Sequence, residues 1–275
     1  MQNSSKQRNT TLMLTESAVM IALAFILSFL KVVDMPYGGS VTAFSMLPII
    51  IIAFRYGTGW GLASGFAFSL LQMLMGLSSL SYATSAVAAV AIILLDYIVA
   101  FTVLGLGGVF RTAVKDQGNA MALGALLTCV LRYICHVISG CTVWAGVSIP
   151  TSDGLLYSLG YNATYMIPET LITIMGAYYV GSLFTVTESK IVRRPASGAR
   201  NVYGIVAALP VVLAVVVSAA FIFGMMQNPD DGSFDITAVS GYGINDWMPV
   251  IISMILGVLI SFAVAAYGKV KKSEK

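Results

Sequence analysis

Eight long apolar runs divide this sequence, and they constrain its fold more than any other feature. They cover residues 12–33, 41–54, 59–77, 86–109, 120–147, 155–186, 202–226 and 247–266. A helix needs about 20 mainly apolar residues to cross roughly 30 Å of hydrocarbon, so the run at 41–54 is short and is expected to be tilted or partly re-entrant. Only 10% of the residues are charged and 58% are hydrophobic, which excludes an ordinary soluble domain. The predicted fold class is all-α, a polytopic membrane helix bundle.

The basic residues predict the orientation of this bundle. If the N-terminus is cytoplasmic, every Lys and Arg except Lys31 and Arg132 falls in an inner loop or tail. The outer loops then carry aspartates: Asp34, Asp153, Asp230, Asp231, Asp235 and Asp246. This charge bias is typical of a multi-pass protein of the cell membrane, here with both the N- and the C-terminus in the cytoplasm. Because the basic residues follow topology and form no patch, the expected partner is the lipid bilayer and not nucleic acid.

A polar, basic linker at residues 188–201 divides the chain. It contains Pro195 and Gly198, which interrupt regular structure. We therefore expect a six-helix membrane core at residues 1–187, a cytoplasmic linker, and an appendix of two additional transmembrane helices at residues 202–275. The sequence indicates no role for this appendix.

Polar side chains interrupt the apolar runs, although each costs several kcal/mol in hydrocarbon unless it is paired. On the fifth predicted helix, Arg132, His136, Gly140 and Trp144 are four residues apart and form one stripe. Other intramembrane or interfacial polar residues are Asp96, Tyr97, Tyr133, Tyr157, Asn162 and Glu169.

Two interpretations of these residues stay open. An acid, an imidazole, an indole, phenols and an amide that converge in the outer half of one bundle suit a flat, cationic, heteroaromatic solute. The same residues can instead form an interhelical network without a ligand, in which Asp96 pairs with Arg132 or His136. Arg132, Tyr133 and Glu169 are candidates for a secondary polar network in either case.

Several chemistries are excluded or disfavoured. The sequence contains no Walker A loop, no H-E-x-x-H and no G-x-S-x-G motif, so neither ATP hydrolysis nor another enzymatic activity is expected. With one histidine and no Cys–His spacing, a conventional zinc site is not expected, and no cofactor is predicted. Cys129, Cys135 and Cys141 lie six residues apart on one predicted helix, which disfavours disulfide pairing among them.

Four segments resemble the thiamine-specific substrate-binding (S) component of energy-coupling factor transporters, the YuaJ/ThiT type. They are LTESAVMIALAF, LLDYIVAF, LRYICHVISGCTVWAG and LYSLGYN, within residues 14–186. The resemblance implies a six-helix membrane protein that binds thiamine from the outside and delivers it through a shared transmembrane coupling subunit and two cytoplasmic ATPases. It also implies a thiamine pocket lined by Asp96, Tyr97, His136, Trp144, Tyr157 and Asn162.

The first of these segments contains Ala18 and Ala22, a small-xxx-small pair that lets another helix approach closely. The resemblance implies that this pair contacts the coupling subunit. Two features depart from the family: a glutamate is usual at the position of Asp96, and the appendix exceeds six helices.

Other functions remain open at this point. The same architecture can serve another vitamin or a thiamine precursor such as hydroxymethylpyrimidine. A stand-alone proton-coupled carrier can use Asp96, Arg132, His136 and Glu169 as a relay. An intramembrane enzyme is disfavoured, because no nucleophile–base pair can be assembled.

Overall fold

The structure, a computed structural model, describes residues 2–35, 38–83, 85–141, 152–194, 203, 206–226 and 235–273. Most of these residues are helical, in α1 (Gln2–Ser28), α2 (Leu47–Tyr56), α3 (Thr58–Met75), α4 (Ala86–Gly108), α5 (Gln117–Ser139), α6 (Ser152–Leu183), α7 (Ala208–Met226) and α8 (Ile244–Ser273). Helix α4 widens into a π-helical turn at Ile93–Val99 and tightens into a 3₁₀ turn at Val103–Gly108. Further 3₁₀ turns occupy Leu77–Tyr82 and Ile236–Gly241.

Five helical segments in the described part of the chain are long and apolar enough to cross a membrane. They are Thr10–Ser28, Ala86–Gly108, Gln117–Ser139, Ala208–Met226 and Ile244–Gly268. Helix α2 has 10 residues, which is about 15 Å, and is as short as the run at 41–54 predicted. Helix α6 has 32 residues but carries polar side chains along its length. The predicted all-α membrane bundle is confirmed.

The predicted first span, residues 12–33, is wrong at its carboxyl end. Helix α1 ends at Ser28, and Lys31–Asp34 form strand β1, which pairs antiparallel with strand β2, Ser40–Thr42. The paired valines of KVVD favour extended backbone, and an apolar run alone does not distinguish strand from helix.

This hairpin rests on α6. Gly39, just before β2, has a φ of +88°, and a Cβ there would lie 2.6 Å from the ring of Tyr165. Glycine is therefore required both by the backbone conformation and by the close approach of the turn to the helix.

A second hairpin follows α6, which ends at Leu183, three residues before the end of the apolar run at 155–186. Strands β3 (Phe184–Val186) and β4 (Ile191–Arg193) pair antiparallel, so part of the predicted linker has regular structure. The Gln117 side chain donates from Nε2 to the Val186 carbonyl oxygen (2.7 Å) and accepts from Arg194 Nη2 (2.9 Å). These bonds attach the hairpin to the beginning of α5.

Glycines let the backbones of the central helices approach one another. A Cβ at Gly105 of α4 would overlap the backbone of Gly61 and Leu62 in α3, and one at Gly124 of α5 would overlap the backbone of Gly107. The glycines of α3 at this contact therefore serve packing within the chain. The buried apolar core lies around this contact and extends along α5 and α6.

The appendix forms a helical pair that packs on the core. Ser218 and Ser253 share a hydrogen bond of 2.9 Å between α7 and α8, and Gly257 lets α8 approach Pro210 and Ala214 of α7. Helix α7 also packs against α6, whereas most of α8 is exposed.

Candidate functional site

A cavity of about 1070 Å³ lies where α4, α5 and α6 meet the β1–β2 hairpin. It has room for a small organic molecule, since pockets for such ligands occupy roughly 300–1,000 Å³. Five of the residues predicted for binding line it: Asp96, Tyr97, His136, Tyr157 and Asn162. The sixth, Trp144, lies outside the described residues.

The carboxylate of Asp96 is held by two side chains of α5. Its Oδ1 lies 2.9 Å from His136 Nδ1, and its Oδ2 accepts a hydrogen bond of 2.6 Å from Ser139 Oγ. Of the two partners considered for Asp96, the structure therefore selects His136. Ser139 was not predicted, although it lies one turn beyond His136 on the same helical face.

Asp96 and Tyr97 are consecutive, yet both line the cavity. They lie in the π-helical turn of α4, and such turns occur frequently at functional sites. The Tyr97 hydroxyl donates either to the Gly76 carbonyl oxygen at 3.0 Å or to Ser79 Oγ at 2.9 Å. These contacts fix Tyr97 against the 3₁₀ turn that follows α3.

Helix α6 contributes an amide and a series of tyrosines. Asn162 donates from Nδ2 to the Ser158 carbonyl oxygen (2.8 Å), and its Oδ1 accepts from the Tyr165 hydroxyl (2.6 Å). The ring of Tyr157 is nearly parallel to that of Tyr161, with centroids 6.1 Å apart. The Asn162 side chain is thus oriented by its own helix, and one face of the cavity is aromatic.

The inner end of the cavity contains a buried ion pair. Arg132, one turn before His136 on α5, places Nη1 3.5 Å from Glu169 Oε1, and Thr42 Oγ1 donates to the same oxygen at 2.8 Å. Both charged residues line the cavity. Tyr133 does not join this pair, since its hydroxyl donates to the Leu159 carbonyl oxygen (2.9 Å).

The site has the chemistry to hold a flat cationic ring system. One carboxylate offers charge, and the tyrosine faces offer stacking or cation–π contact. His136 Nε2 is buried and has no hydrogen-bond partner in the described part of the chain. Within the described residues, no group of three or more His, Cys, Asp or Glu side chains could hold a metal ion.

The sequence also carries a family signature in this part of the chain. The model of the family described as thiamine transporter protein (Thia_YuaJ) matches residues 14–187. The chain belongs to this thiamine transporter family. The family match ends at residue 187, one residue after the end of β3. Helices α7 and α8 therefore lie outside the part of this thiamine transporter family member that the match covers.

Individual relatives agree with this assignment. The thiamine transporter ThiT of Bacillus subtilis (strain 168) is 36% identical over an alignment of 181 residues, and the match covers 62% of this chain and 88% of that protein. A solved structure of ThiT from Listeria monocytogenes matches with a TM-score of 0.51 and 22% identity, covering 62% of this chain and 94% of that chain. The latter likeness shows that this family member has the same fold.

Proposed function

We propose that this protein is the substrate-binding subunit of an ATP-driven vitamin uptake system of the energy-coupling factor type. It binds thiamine from the outside and delivers it through a shared transmembrane coupling subunit and two cytoplasmic ATPases. The observation that carries the proposal is the hydrogen-bonded group of Asp96, His136 and Ser139 on a cavity wall in a thiamine transporter family member.

Each predicted residue has a role in this proposal. Asp96 holds the aminopyrimidine or balances the thiazolium charge, and His136 and Ser139 keep its carboxylate in place. Tyr97, Tyr157 and Asn162 fix the remaining edges of the ligand, and Trp144 stacks on it. Because aspartate is shorter than the usual glutamate, the ligand lies closer to α4 or a water bridges the gap.

Removal of the Asp96 charge tests the site. Asp96→Asn and Trp144→Ala are each expected to weaken thiamine binding at least tenfold, about 1.4 kcal/mol, because the first loses the charge and the second an aromatic contact. Titration of the purified protein with thiamine measures this effect. Asp116→Asn is the matched control, because Asp116 caps α5 through a bond to the Asn119 N–H (2.9 Å) and asparagine caps equally well. Unchanged affinity in both test variants would contradict the assigned site.

Competition experiments separate thiamine from a precursor. Unlabelled thiamine should displace labelled thiamine at far lower concentration than either its pyrimidine or its thiazole half, because the cavity has room for both rings together. Equal displacement by the hydroxymethylpyrimidine fragment would assign the cavity to the precursor.

A stand-alone proton-coupled carrier is the second candidate. The buried pair of Arg132 and Glu169 at the inner end of the cavity favours it, since such residues form proton relays in carriers. Uptake that stops with a protonophore but survives loss of the ATPases would favour the carrier, and the reverse result would favour the ATP-driven system.

A further inference from the structure

Helix α7, which lies outside the family match, contributes side chains to the buried core of the bundle. Val216 and Phe223 are both buried and belong to the same apolar cluster as residues of α5 and α6. They are seven residues apart, about two helical turns, so they lie on the same face of α7. The appendix therefore packs on α6, the helix that supplies Tyr157 and Asn162 to the cavity.

One of these side chains contacts a residue of the cavity wall. The ring of Phe223 meets the ring of Tyr161 edge-on, with centroids 6.3 Å apart. Tyr161 lines the cavity, although its side chain is largely buried. An edge-on pair favours one relative orientation of its two rings. Phe223 does not line the cavity itself, so it can act on a ligand only through neighbours such as Tyr161.

Tyr161 joins several parts of the site. Its hydroxyl donates to the carbonyl oxygen of Gly38 in the first hairpin at 2.9 Å. Its ring is nearly parallel to that of Tyr157 and meets the ring of Tyr165 edge-on at 6.2 Å. The Tyr165 hydroxyl in turn donates to Asn162 Oδ1. A rotation of Tyr161 would therefore break the bond to the hairpin and change the surroundings of two predicted ligand-binding residues.

We propose that Phe223 is a positioning residue of the cavity, which holds the Tyr161 ring in the orientation that bonds the hairpin and faces Tyr157. A site that is ordered before its ligand arrives loses less conformational freedom on binding. This inference rests on the proposed function, since the ligand is thiamine. It gives α7 a role in retaining that ligand.

Removal of the Phe223 ring tests the inference in the full-length protein. Phe223→Ala is expected to speed thiamine dissociation about fivefold, and Phe223→Leu, which fills more of the space, about twofold. The association rate should change less, because differences among variants of one site lie mainly in dissociation. Stopped-flow measurements on the detergent-solubilised protein give both rates. Phe221→Ala, which removes an exposed ring from the same helix, should leave both unchanged.

Two further variants separate positioning from general stability. Val216→Ala removes buried atoms from the same face of α7 and should lower the unfolding temperature without changing the thiamine rates. Tyr161→Phe keeps the ring and removes the hydroxyl that bonds Gly38. In that background Phe223→Ala should have a clearly smaller effect on dissociation, because both substitutions disrupt the same bond. Fully additive effects, or equal acceleration by Val216→Ala and Phe223→Ala, would overturn the inference.

Hydrogen exchange in the ligand-free protein distinguishes this inference from the proposed function. The amides of β1 and β2 should exchange faster in Phe223→Ala than in the wild-type or Val216→Ala protein, because the hairpin loses its bond to α6. Unchanged exchange in Phe223→Ala would overturn the inference. Faster exchange in Phe223→Ala, combined with failure of the wild-type protein to bind thiamine, would instead count against the proposed function alone.

Discussion

Arg132 and Glu169 form an ion pair at the cavity wall whose side chains are only 7% and 2% exposed. The guanidinium lies over the ring of Phe101 at 4.4 Å, and its Nη1 is 3.1 Å from the sulfur of Met46. Arg132 Nε and Glu169 Oε2 have no hydrogen-bond partner within the described residues. Such a pair contributes little net stability, but the loss of one member leaves a buried charge without compensation.

The double substitution at this pair should therefore lower the free energy of unfolding by less than the two single substitutions do together. Arg132→Met and Glu169→Met are each expected to lower the free energy of unfolding by about 3–5 kcal/mol. The double variant should lose clearly less than the sum of the two, because no isolated charge remains. Denaturant unfolding of the detergent-solubilised protein measures all three values. Additive losses would show that the two charges do not interact.

Helix α4 changes its geometry along its length, and each part does a different task. The π-helical turn at Ile93–Val99 presents Asp96 and Tyr97 to the cavity. The 3₁₀ turn at Val103–Gly108 packs its glycine backbone against α2, α3 and α5. The cavity wall is thus fixed by a close backbone contact about two turns away along the same helix.

Even the smallest side chain at this contact should be destabilising. Gly105→Ala places a methyl group against the backbone of Gly61 and Leu62, so we expect the free energy of unfolding to fall by about 1–3 kcal/mol. Thermal unfolding in detergent is the measurement. The matched control is Gly59→Ala in α3, where a Cβ meets open space and helix propensity favours alanine. Equal stability of the two variants would show that the contact has room to relax.

Helix α1 presents the predicted docking pair to its surroundings, since Ala18 and Ala22 are both exposed. Ala18→Leu or Ala22→Leu should abolish thiamine uptake by cells that contain the coupling subunit and ATPases, because the larger side chain prevents close helix packing. Thiamine binding by the purified protein should not change, because neither alanine lines the cavity. Ala263→Leu, at an exposed site on α8, is the control. Normal uptake by both α1 variants would place the docking face elsewhere.

The two ends of the bundle differ in charge. At the end opposite the cavity, Arg55 forms an ion pair with Glu16 at 2.8 Å, and Arg111 donates to the carbonyl oxygen of Arg55 at 3.4 Å. The second hairpin is bound at this end, since Arg55 also donates to the Glu188 carbonyl oxygen (3.4 Å). The positive-inside bias predicts that this end faces the cytoplasm.

Single cysteines test that orientation. Asn245→Cys, near the cavity end of α8, should react with a membrane-impermeant maleimide on intact cells, whereas Lys190→Cys in the second hairpin should react only after lysis. Both positions are exposed, and the three native cysteines are buried, so background labelling should be low. Labelling of Lys190→Cys on intact cells would reverse the predicted topology.

The bundle and most of the cavity wall follow from the sequence, because the cost of polar groups in hydrocarbon makes residues such as Asp96 and His136 conspicuous. Ser139 was missed, although its spacing from His136 places it on the same face. The β1–β2 hairpin was missed because its valines continue an apolar run. Asp235 also lines the cavity, but this could not be predicted, since it depends on how α7 packs against α6 and hydropathy carries no such information.

The size of the cavity has an electrical consequence. At roughly 30 Å³ per molecule, 1070 Å³ holds on the order of 35 waters. With the predicted topology, these waters keep the cavity interior near the potential of the external solution. Most of the transmembrane voltage then drops across the part of the protein that lies between Arg132 and the end of the bundle at Arg55 and Glu16. A full crossing is worth about 2.3 kcal/mol per charge at 100 mV. Under the proposed function, loading of a cation should therefore be almost insensitive to membrane voltage, and nearly all of that work would fall on the later release step.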